Sequence, residues 1–443
     1  MKPVESRCKG AEIVAVVAVS LALVSCPGDG GSGGSGTTNP GAGGFLEVTN
    51  GSSANISAYS INMGTGQLTA VPGAPFPTSG TQPQGLVVDP SGKFAYVSNT
   101  GSDTIAAYVL NLATGALSLI GGVPIPAGGN QPQEIAVAAL PPVAPTQEFA
   151  FVSNTGSNSI SVFSIDLTSG RLTPIVTLPT GGAPRPATVH PTGQFVYVSN
   201  TGSANISGFV NNLSTGGAFT SMGVPFTAGS QPQRVTIDPT GHFAYVANAG
   251  SATVSAYSIN QVTGVLTPIM NPLTGLPTFP TGTLPQAVTV DVLDIFAYVA
   301  NQGDGTVSGY TINSATGSLT PMTGSPFPVG TNPQAVTIVP SNEFSGDEFA
   351  YVANTGSGNV SAFAVDPLTG VLIAIAGSPF GAGMAPQSVV VDPSGEFAFV
   401  PALGSNNVSV YFINQLTGAL SPVTGSPFPT GTAPQSATTA GTF

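Results

Sequence analysis

Residues 94–99 read Phe-Ala-Tyr-Val-Ser-Asn, and this six-residue stretch returns along the chain with nearly the same side chains. Its other copies are FLEVTN from Phe45, FAFVSN from Phe149, FVYVSN from Phe195, FAYVAN from Phe243, Phe296 and Phe349, and FAFVPA from Phe397. Successive copies begin 46 to 55 residues apart. Self-similarity at this period is typical of propellers and solenoids, so the repeat decides the fold class.

Each repeat contains four short strand-forming segments separated by turn residues. In the unit that contains Phe94 we predict strand A over 85–88, strand B over 94–98, strand C over 104–110 and strand D over 116–120. The turns between them contain Pro and Gly, which supply the backbone angles that tight turns need. Strand B is apolar at consecutive positions, so both of its faces should be buried between neighbouring sheets.

Radially packed, four-stranded antiparallel blades meet that requirement, and about 40–50 residues per blade is the usual size. We therefore predict an all-β fold, a β-propeller. The chain enters at a strand B, at Phe45, and ends with an unpaired strand A over 434–439. These ends should join in one composite blade that closes the ring and hides two strand edges. The result is eight blades, or seven if a terminal fragment is only a cap.

A recurrent Gly-Ser-Pro-Phe-Pro segment leads from strand D to the next unit. Proline fixes the direction of this crossover, and its phenylalanine should fill the gap between adjacent blades. The residues concerned are Phe76, Phe327, Phe380 and Phe428.

The first 25 residues have the composition of an export signal peptide. Lys2, Arg7 and Lys9 precede an apolar run over 13–24 that is too short to span a bilayer as a helix. The end of this run, Leu-Val-Ser-Cys26, is similar to a bacterial lipobox, in which the cysteine becomes the lipidated first residue. The alternative is an ordinary secretory signal that holds a cysteine near its cleavage site.

Composition gives the rest of the domain plan. Residues 26–44 comprise the lipidated Cys26 and a Gly/Ser-rich tether, and residues 45–443 form a single propeller domain. We expect the protein in the cell envelope, lipid-anchored at the outer membrane or at the periplasmic or extracellular face.

Charge and cysteine content exclude several functions. Without the signal peptide, four basic and 17 acidic residues remain, a balance that disfavours nucleic acid and anionic lipid as partners. Cys26 would then be the single cysteine, which excludes internal disulfides and cysteine-based metal sites. Asp103, Asn158 and Asp304 occupy B–C loops singly, without the clustered carboxylates that calcium needs. We expect a monomer with no metal and no cofactor that contacts the membrane only through its lipid.

Three motifs of the second unit carry a family resemblance: Tyr96-Val97-Ser98-Asn99, Asp89-Pro90-Ser91-Gly92 and Thr114-Gly115. They resemble the YVTN-type repeats of the lactonase-family β-propellers, whose named enzyme is 6-phosphogluconolactonase. The resemblance covers essentially everything from Phe45 onward. It implies a propeller fold, lactone hydrolysis and a polar, charged catalytic pocket around the central channel. Because one fold hosts many functions, activity has to be argued from a site.

The candidate site lies where the strands A begin. In an antiparallel blade the D–A crossovers and B–C loops share one face, and strand A is innermost, so its first residues should line the mouth of the channel. A Pro-Gln pair at this position predicts a ring of ligand-binding glutamines: Gln84, Gln133, Gln233, Gln286, Gln334, Gln387 and Gln435. Arg185 takes the eighth position.

One residue further along, the third unit has Glu134 and the fifth has Arg234. With Arg185 between them, three successive blades would place these candidate catalytic residues near one mouth. They could clamp an anion, with Glu134 as a base and the arginines stabilising a developing oxyanion. The alternative is an ion-pair network that offsets charge in a polar channel, with the glutamines satisfying backbone groups.

The two histidines do not join this group. His190 and His242 fall in A–B turns, and five residues of strand separate Arg185 from His190 by about 17 Å. We therefore expect no Ser-His-Asp site and no histidine metal site.

Two functions from different classes remain. The first is a binding or scaffold module of the envelope that presents its loops and its mouth to a small molecule, a glycan or a partner protein. The second is a lactone hydrolase that uses Glu134 with Arg185 and Arg234. The sequence shows repeated structure and little concentrated chemistry, which favours binding.

Overall fold

The computed structural model describes residues 44–139, 147–212, 218–341 and 347–441. The predictions for the signal peptide, for Cys26 and for the tether up to residue 43 lie outside these residues. In the described part the chain forms eight small antiparallel sheets. Strands are joined there by turns and loops, and no helix is present that could cross a membrane.

Each sheet is one blade of a propeller, with strand order A-B-C-D. Neighbouring strands A contact one another around the ring, which makes them the innermost strands. We number the blades 1 to 8 in the order of their strands B. Strands A of blades 1 to 8 are Pro434–Gly441, Pro83–Val88, Pro132–Ala139, Thr188–Val189, Pro232–Ile237, Pro285–Val290, Pro333–Pro340 and Val390–Val391. Strands B are Gly44–Asn50, Phe94–Asn99, Glu148–Asn154, Phe195–Asn200, Phe243–Asn248, Phe296–Asn301, Glu348–Asn354 and Phe397–Ala402.

The outer two strands complete each blade. Strands C are Asn55–Ile61, Thr104–Leu110, Ser159–Ile165, Asn205–Asn212, Thr253–Ile259, Thr306–Ile312, Asn359–Val365 and Asn407–Ile413. Strands D are Leu68–Ala70, Leu117–Leu119, Leu172–Pro179, Ala218–Ser221, Leu266–Pro268, Leu319–Pro321, Leu372–Ala374 and Leu420–Pro422. The sequence prediction of four-stranded blades and of their strand order is confirmed.

The crossovers are more regular than the sequence indicated. In seven blades a short strand, named D′, continues the outer edge and pairs with the beginning of strand C. These strands are Phe76–Pro77, Ile125–Pro126, Phe226–Thr227, Thr278–Pro280, Phe327–Pro328, Phe380–Gly381 and Phe428–Pro429. Phe327 pairs opposite Val307 and packs in a cluster that joins blades 6 and 7, so the predicted gap-filling role is confirmed.

The ring closes by the predicted exchange between chain ends. The C-terminal strand Pro434–Gly441 pairs antiparallel with Gly44–Asn50, with Phe45 opposite Ala440 and Val48 opposite Ala437. This pairing makes the first blade composite and fixes the blade count at eight. It also gives both terminal strands a neighbour, which removes two exposed edges.

The recurring stretch around Phe94 forms the core of its blade because neighbouring blades cover both faces. All six residues of Phe94–Asn99 are buried. The hydroxyl of Tyr96 donates to the carbonyl oxygen of Gly170 in the next blade, at 3.0 Å. The terminal Asn99 donates to Thr104 of strand C and to Thr78 of the crossover. Such contacts tie each blade to its neighbour and to its own loops.

Candidate functional site

The mouth of the channel is built from a repeated backbone conformation. Before each strand A, the residue preceding proline has a left-handed backbone, as at Gln131 (φ 53°) and Leu284 (φ 49°). Its carbonyl oxygen accepts from the B–C loop, as Gln131 does from the amide of Thr155 at 3.0 Å. D–A crossovers and B–C loops therefore share one face, as predicted.

The glutamines that follow proline mostly bond to their own crossover. The side-chain amide of Gln233 donates to the carbonyl oxygen of Gln231 at 3.1 Å, and Gln387 makes the same bond to Ala385 at 3.0 Å. Gln233 is buried, and the half-buried members of the set are Gln84, Gln133, Gln286, Gln334, Gln387 and Gln435. These bonds agree with the alternative interpretation given above, in which the glutamines satisfy backbone groups rather than bind a ligand. They stabilise the conformation of the crossovers at the mouth.

Glu134 and Arg234 form an ion pair across the mouth. Nη2 of Arg234 lies 2.6 Å from Oε2 of Glu134. These residues belong to blades 3 and 5, which are not neighbours, so the pair spans the start of strand A in blade 4. The side chain of Arg234 is 20% exposed and that of Glu134 is 43% exposed. It is the one salt bridge in residues 44–441 apart from the undescribed loops, and it neutralises Glu134 without removing it from solvent.

Arg185 comes from blade 4, between the partners of that ion pair. Its Nε donates to the hydroxyl of Thr201 at 3.2 Å, and its Nη2 donates to Oε1 of Gln233 at 2.5 Å. Desolvation by the surrounding wall lowers the pKa of Arg185, and the charge of Glu134 opposes this shift. Because the side chain is exposed and arginine has a very high pKa, the guanidinium stays cationic. Arg185 therefore lies near enough to feel the charge of Glu134, and Gln233 positions its guanidinium.

The histidines lie at the opposite face, as the sequence predicted. His190 is buried, and its ring nitrogens contact the hydroxyl of Thr192 and the carbonyl oxygen of Gly241, each at 2.8 Å. Burial lowers its pKa. Across the described strands and loops, no three His, Cys, Asp or Glu side chains are arranged to hold a metal ion.

A family model described as a lactonase, 7-bladed beta-propeller, matches residues 30–132, 124–218, 213–279 and 338–433. These ranges cover well over half of the chain. The chain belongs to the lactonase family.

Solved structures share the fold of this lactonase-family propeller. A proposed 6-phosphogluconolactonase from Bacteroides uniformis has 18% identity and a TM-score of 0.58, and covers 90% of this chain and 100% of its own. The corresponding Bacteroides fragilis protein has 17% identity, a TM-score of 0.59, and 91% and 100% coverage. The periplasmic gluconolactonase of Pseudomonas aeruginosa has 15% identity, a TM-score of 0.58, and 91% and 99% coverage. No curated protein sequence matches the chain.

Two acidic residues of this lactonase-family propeller were missed by the sequence reasoning. Glu47 replaces the tyrosine that five other strands B carry, including Tyr96. It is fully buried, neither carboxyl oxygen has a hydrogen-bond partner among the described residues, and burial raises its pKa to about 8. The signal was present as a charged residue in the otherwise neutral FLEVTN copy.

Asp294 is the second missed residue. It lies at the end of an A–B turn, at a position where four other A–B turns have a glycine, as at Gly241. Like those glycines, Asp294 has a left-handed backbone (φ 59°). Its Oδ2 lies 3.4 Å from the hydroxyl of Thr240, which bonds Asp238. Burial and the neighbouring Asp238 raise the pKa of Asp294 to about 7. Neither missed residue lies at the mouth: Glu47 is in the middle of a strand B, and Asp294 is in an A–B turn.

Proposed function

We propose that this propeller is a lactone hydrolase with its active site at the mouth of the central channel. The main support is that Glu134, Arg234 and Arg185 come together from three successive blades. The chain has only four basic residues after residue 25, and two of them lie here. Membership of the lactonase family and the names of two of its structural neighbours, a proposed 6-phosphogluconolactonase and a gluconolactonase, support a lactone as substrate.

In the proposed reaction Glu134 acts as the general base. Arg234 holds its Oε2, which leaves Oε1 to take a proton from a water molecule as that water attacks the lactone carbonyl carbon. The carbonyl oxygen becomes an oxyanion, and the guanidinium of Arg185 stabilises it. The ring C–O bond then breaks, and Glu134 returns the proton to the departing alkoxide. The product is the open-chain hydroxy acid.

A charge-neutral variant tests the role of Glu134. In Glu134→Gln the side chain keeps its length and an oxygen that can accept from Arg234, but it loses the basic carboxylate. We expect kcat to fall about 100-fold or more with little change in KM, since general bases contribute at that level. Glu396→Gln removes the same charge from an A–B turn on the opposite face and should leave kcat unchanged. Unchanged turnover in Glu134→Gln would refute the proposed site.

A binding or scaffold module of the cell envelope is the second candidate. Two observations favour it: the closed ion pair of Glu134 with Arg234, and the engagement of several mouth glutamines by their own backbone. Under this hypothesis the purified protein binds a small molecule, a glycan or a protein at the mouth face and hydrolyses no lactone. Under either hypothesis we propose that the protein is exported and anchored through a lipid on Cys26.

A further inference from the structure

A groove beside the mouth has the size of a small-molecule site. It is a cavity of about 460 Å³ between the B–C loops of blades 2 and 3, within the ~300–1,000 Å³ range usual for ligand pockets. Two glycines and five polar residues line it: Gln82, Thr100, Asp103, Asn130 and Gln131.

The groove lies next to the proposed active site along the chain. Gln131 directly precedes the segment Pro132-Gln133-Glu134, and three residues of extended chain span about 10 Å. The hydroxyl of Thr100, which lines the groove, donates to the carbonyl oxygen of Pro132 at 2.6 Å. The Cα atoms of Gln131 and Glu134 are therefore no more than about 10 Å apart.

The lining fits hydroxyl groups better than phosphate. The side chains of Gln82, Asn130 and Gln131 offer uncharged donors and acceptors, and the one charged lining residue is the acidic Asp103. No lysine or arginine lines the groove in the part of the chain that the structure describes. A phosphate dianion there would meet a carboxylate and no counter-charge, and such like-charge placement rejects ligands.

We propose that this groove binds the hydroxyl-bearing end of an unphosphorylated sugar lactone, and that Asp103 determines specificity by repelling the phosphorylated form. The assignment to a lactone substrate rests on the proposed function. The reaction centre stays at Glu134, and Asp103 acts on substrate choice.

The repeat itself supplies a conservative variant at this position. Oδ1 of Asp103 accepts from the amide of Gln131 at 2.7 Å. In blades 3 and 8 an asparagine makes the equivalent bond, from Ala183 to Asn158 and from Ala433 to Asn406, each at 2.8 Å. Asp103→Asn therefore removes the charge and keeps the loop.

A matched control stands on the opposite side of the ring. Asp304, in the B–C loop of blade 6, accepts from the amide of Thr283 at 2.6 Å. Asp304→Asn makes the same change in net charge on the same face, at least three blades away from the groove. It separates a local effect of Asp103 from the overall negative field of the domain.

The experiment measures two quantities for the wild-type protein and both variants. One is kcat/KM for δ-gluconolactone and for its 6-phosphate. The other is the dissociation constant, by calorimetry, of the two product acids. We expect the wild type to prefer the unphosphorylated compounds. We expect Asp103→Asn to reduce this preference about fivefold or more, because a doubly charged phosphate feels the lost repulsion twice, and Asp304→Asn to leave it unchanged.

The outcomes separate this inference from the proposed function. A wild-type preference for the phosphorylated compounds, or equal effects of the two variants, would overturn the groove assignment while leaving the hydrolase standing. Binding with the expected preference but without turnover would support the groove and refute the hydrolase. Failure to bind either acid and to hydrolyse either lactone would overturn both.

Discussion

The buried carboxyl of Glu47 should make the stability of the propeller depend on pH. Burial raises its pKa from 4.5 to about 8, whereas in the unfolded chain the group ionises near its ordinary value. Between these values the folded state holds a proton that the unfolded state releases, so the free energy of unfolding falls as pH rises. A pH of 7 lies about 2.5 units above the ordinary glutamate pKa of 4.5 and still below the folded-state pKa. Each of these units corresponds to about 1.4 kcal/mol. Glu47 should therefore destabilise the fold by about 3 kcal/mol at pH 7 relative to pH 4.

The assay is urea unfolding of the wild type and Glu47→Gln at pH 4, 5, 6, 7 and 8. The variant cannot ionise, so its advantage over the wild type should be near zero at pH 4 and should grow to about 3 kcal/mol at pH 7. Other titrating groups contribute equally to both proteins and cancel in the difference. A difference between the two proteins that does not change with pH would refute the reasoning.

A second pair of variants tests the packing part of the argument. Glu47→Tyr gives blade 1 the tyrosine that blade 2 has at the equivalent position, Tyr96. The hydroxyl of Tyr96 donates to Gly170 of the next blade at 3.0 Å. This variant should be at least as stable as Glu47→Gln at every pH. Tyr96→Phe removes the corresponding bond and should cost about 1 kcal/mol without pH dependence.

Two further predictions concern Asp294 and Cys26. The pKa of Asp294 is raised to about 7 by burial and by Asp238, so its stabilising protonated form is lost as pH rises through 7. Asp294→Gly places at this position the glycine found at Gly241 and should raise Tm more at pH 8 than at pH 4; a gain of equal size at both values would contradict this. In cells fed a labelled fatty acid, the full chain should incorporate label and Cys26→Ser should not, and label retained in the variant would exclude Cys26 as the anchor.

Much of the fold was predictable because its determinants are local and repeated. Consecutive apolar residues such as Phe94 and Tyr96 predict strand B, and turn residues such as Gly92 indicate where it begins. Ring closure was predictable from the order of the repeated strands, since the first repeat begins with a strand B and the last segment is a strand A. The short strands D′ were missed, because a strand of two residues such as Phe327–Pro328 is too short to show a periodic pattern.

The candidate site was only partly predictable. The sequence placed Glu134, Arg185 and Arg234 near one mouth, because strand alternation fixes which loops share a face. It could not show that Arg234 bypasses blade 4 to reach Glu134, or that Gln233 engages Arg185, since these depend on side-chain reach across a curved ring. The groove at Asp103 was also missed, because a single aspartate in one loop resembles the structural asparagine Asn158 in another.

The most direct test of the central claim is the initial rate of hydrolysis of a panel of sugar and acyl lactones by the purified protein, with Arg185→Ala run beside it. The account predicts turnover above the spontaneous rate on at least one lactone, falling by about 10-fold or more in the variant as the oxyanion loses its guanidinium partner. No turnover on any lactone, or turnover that the variant retains in full, would contradict a lactonase site at the channel mouth.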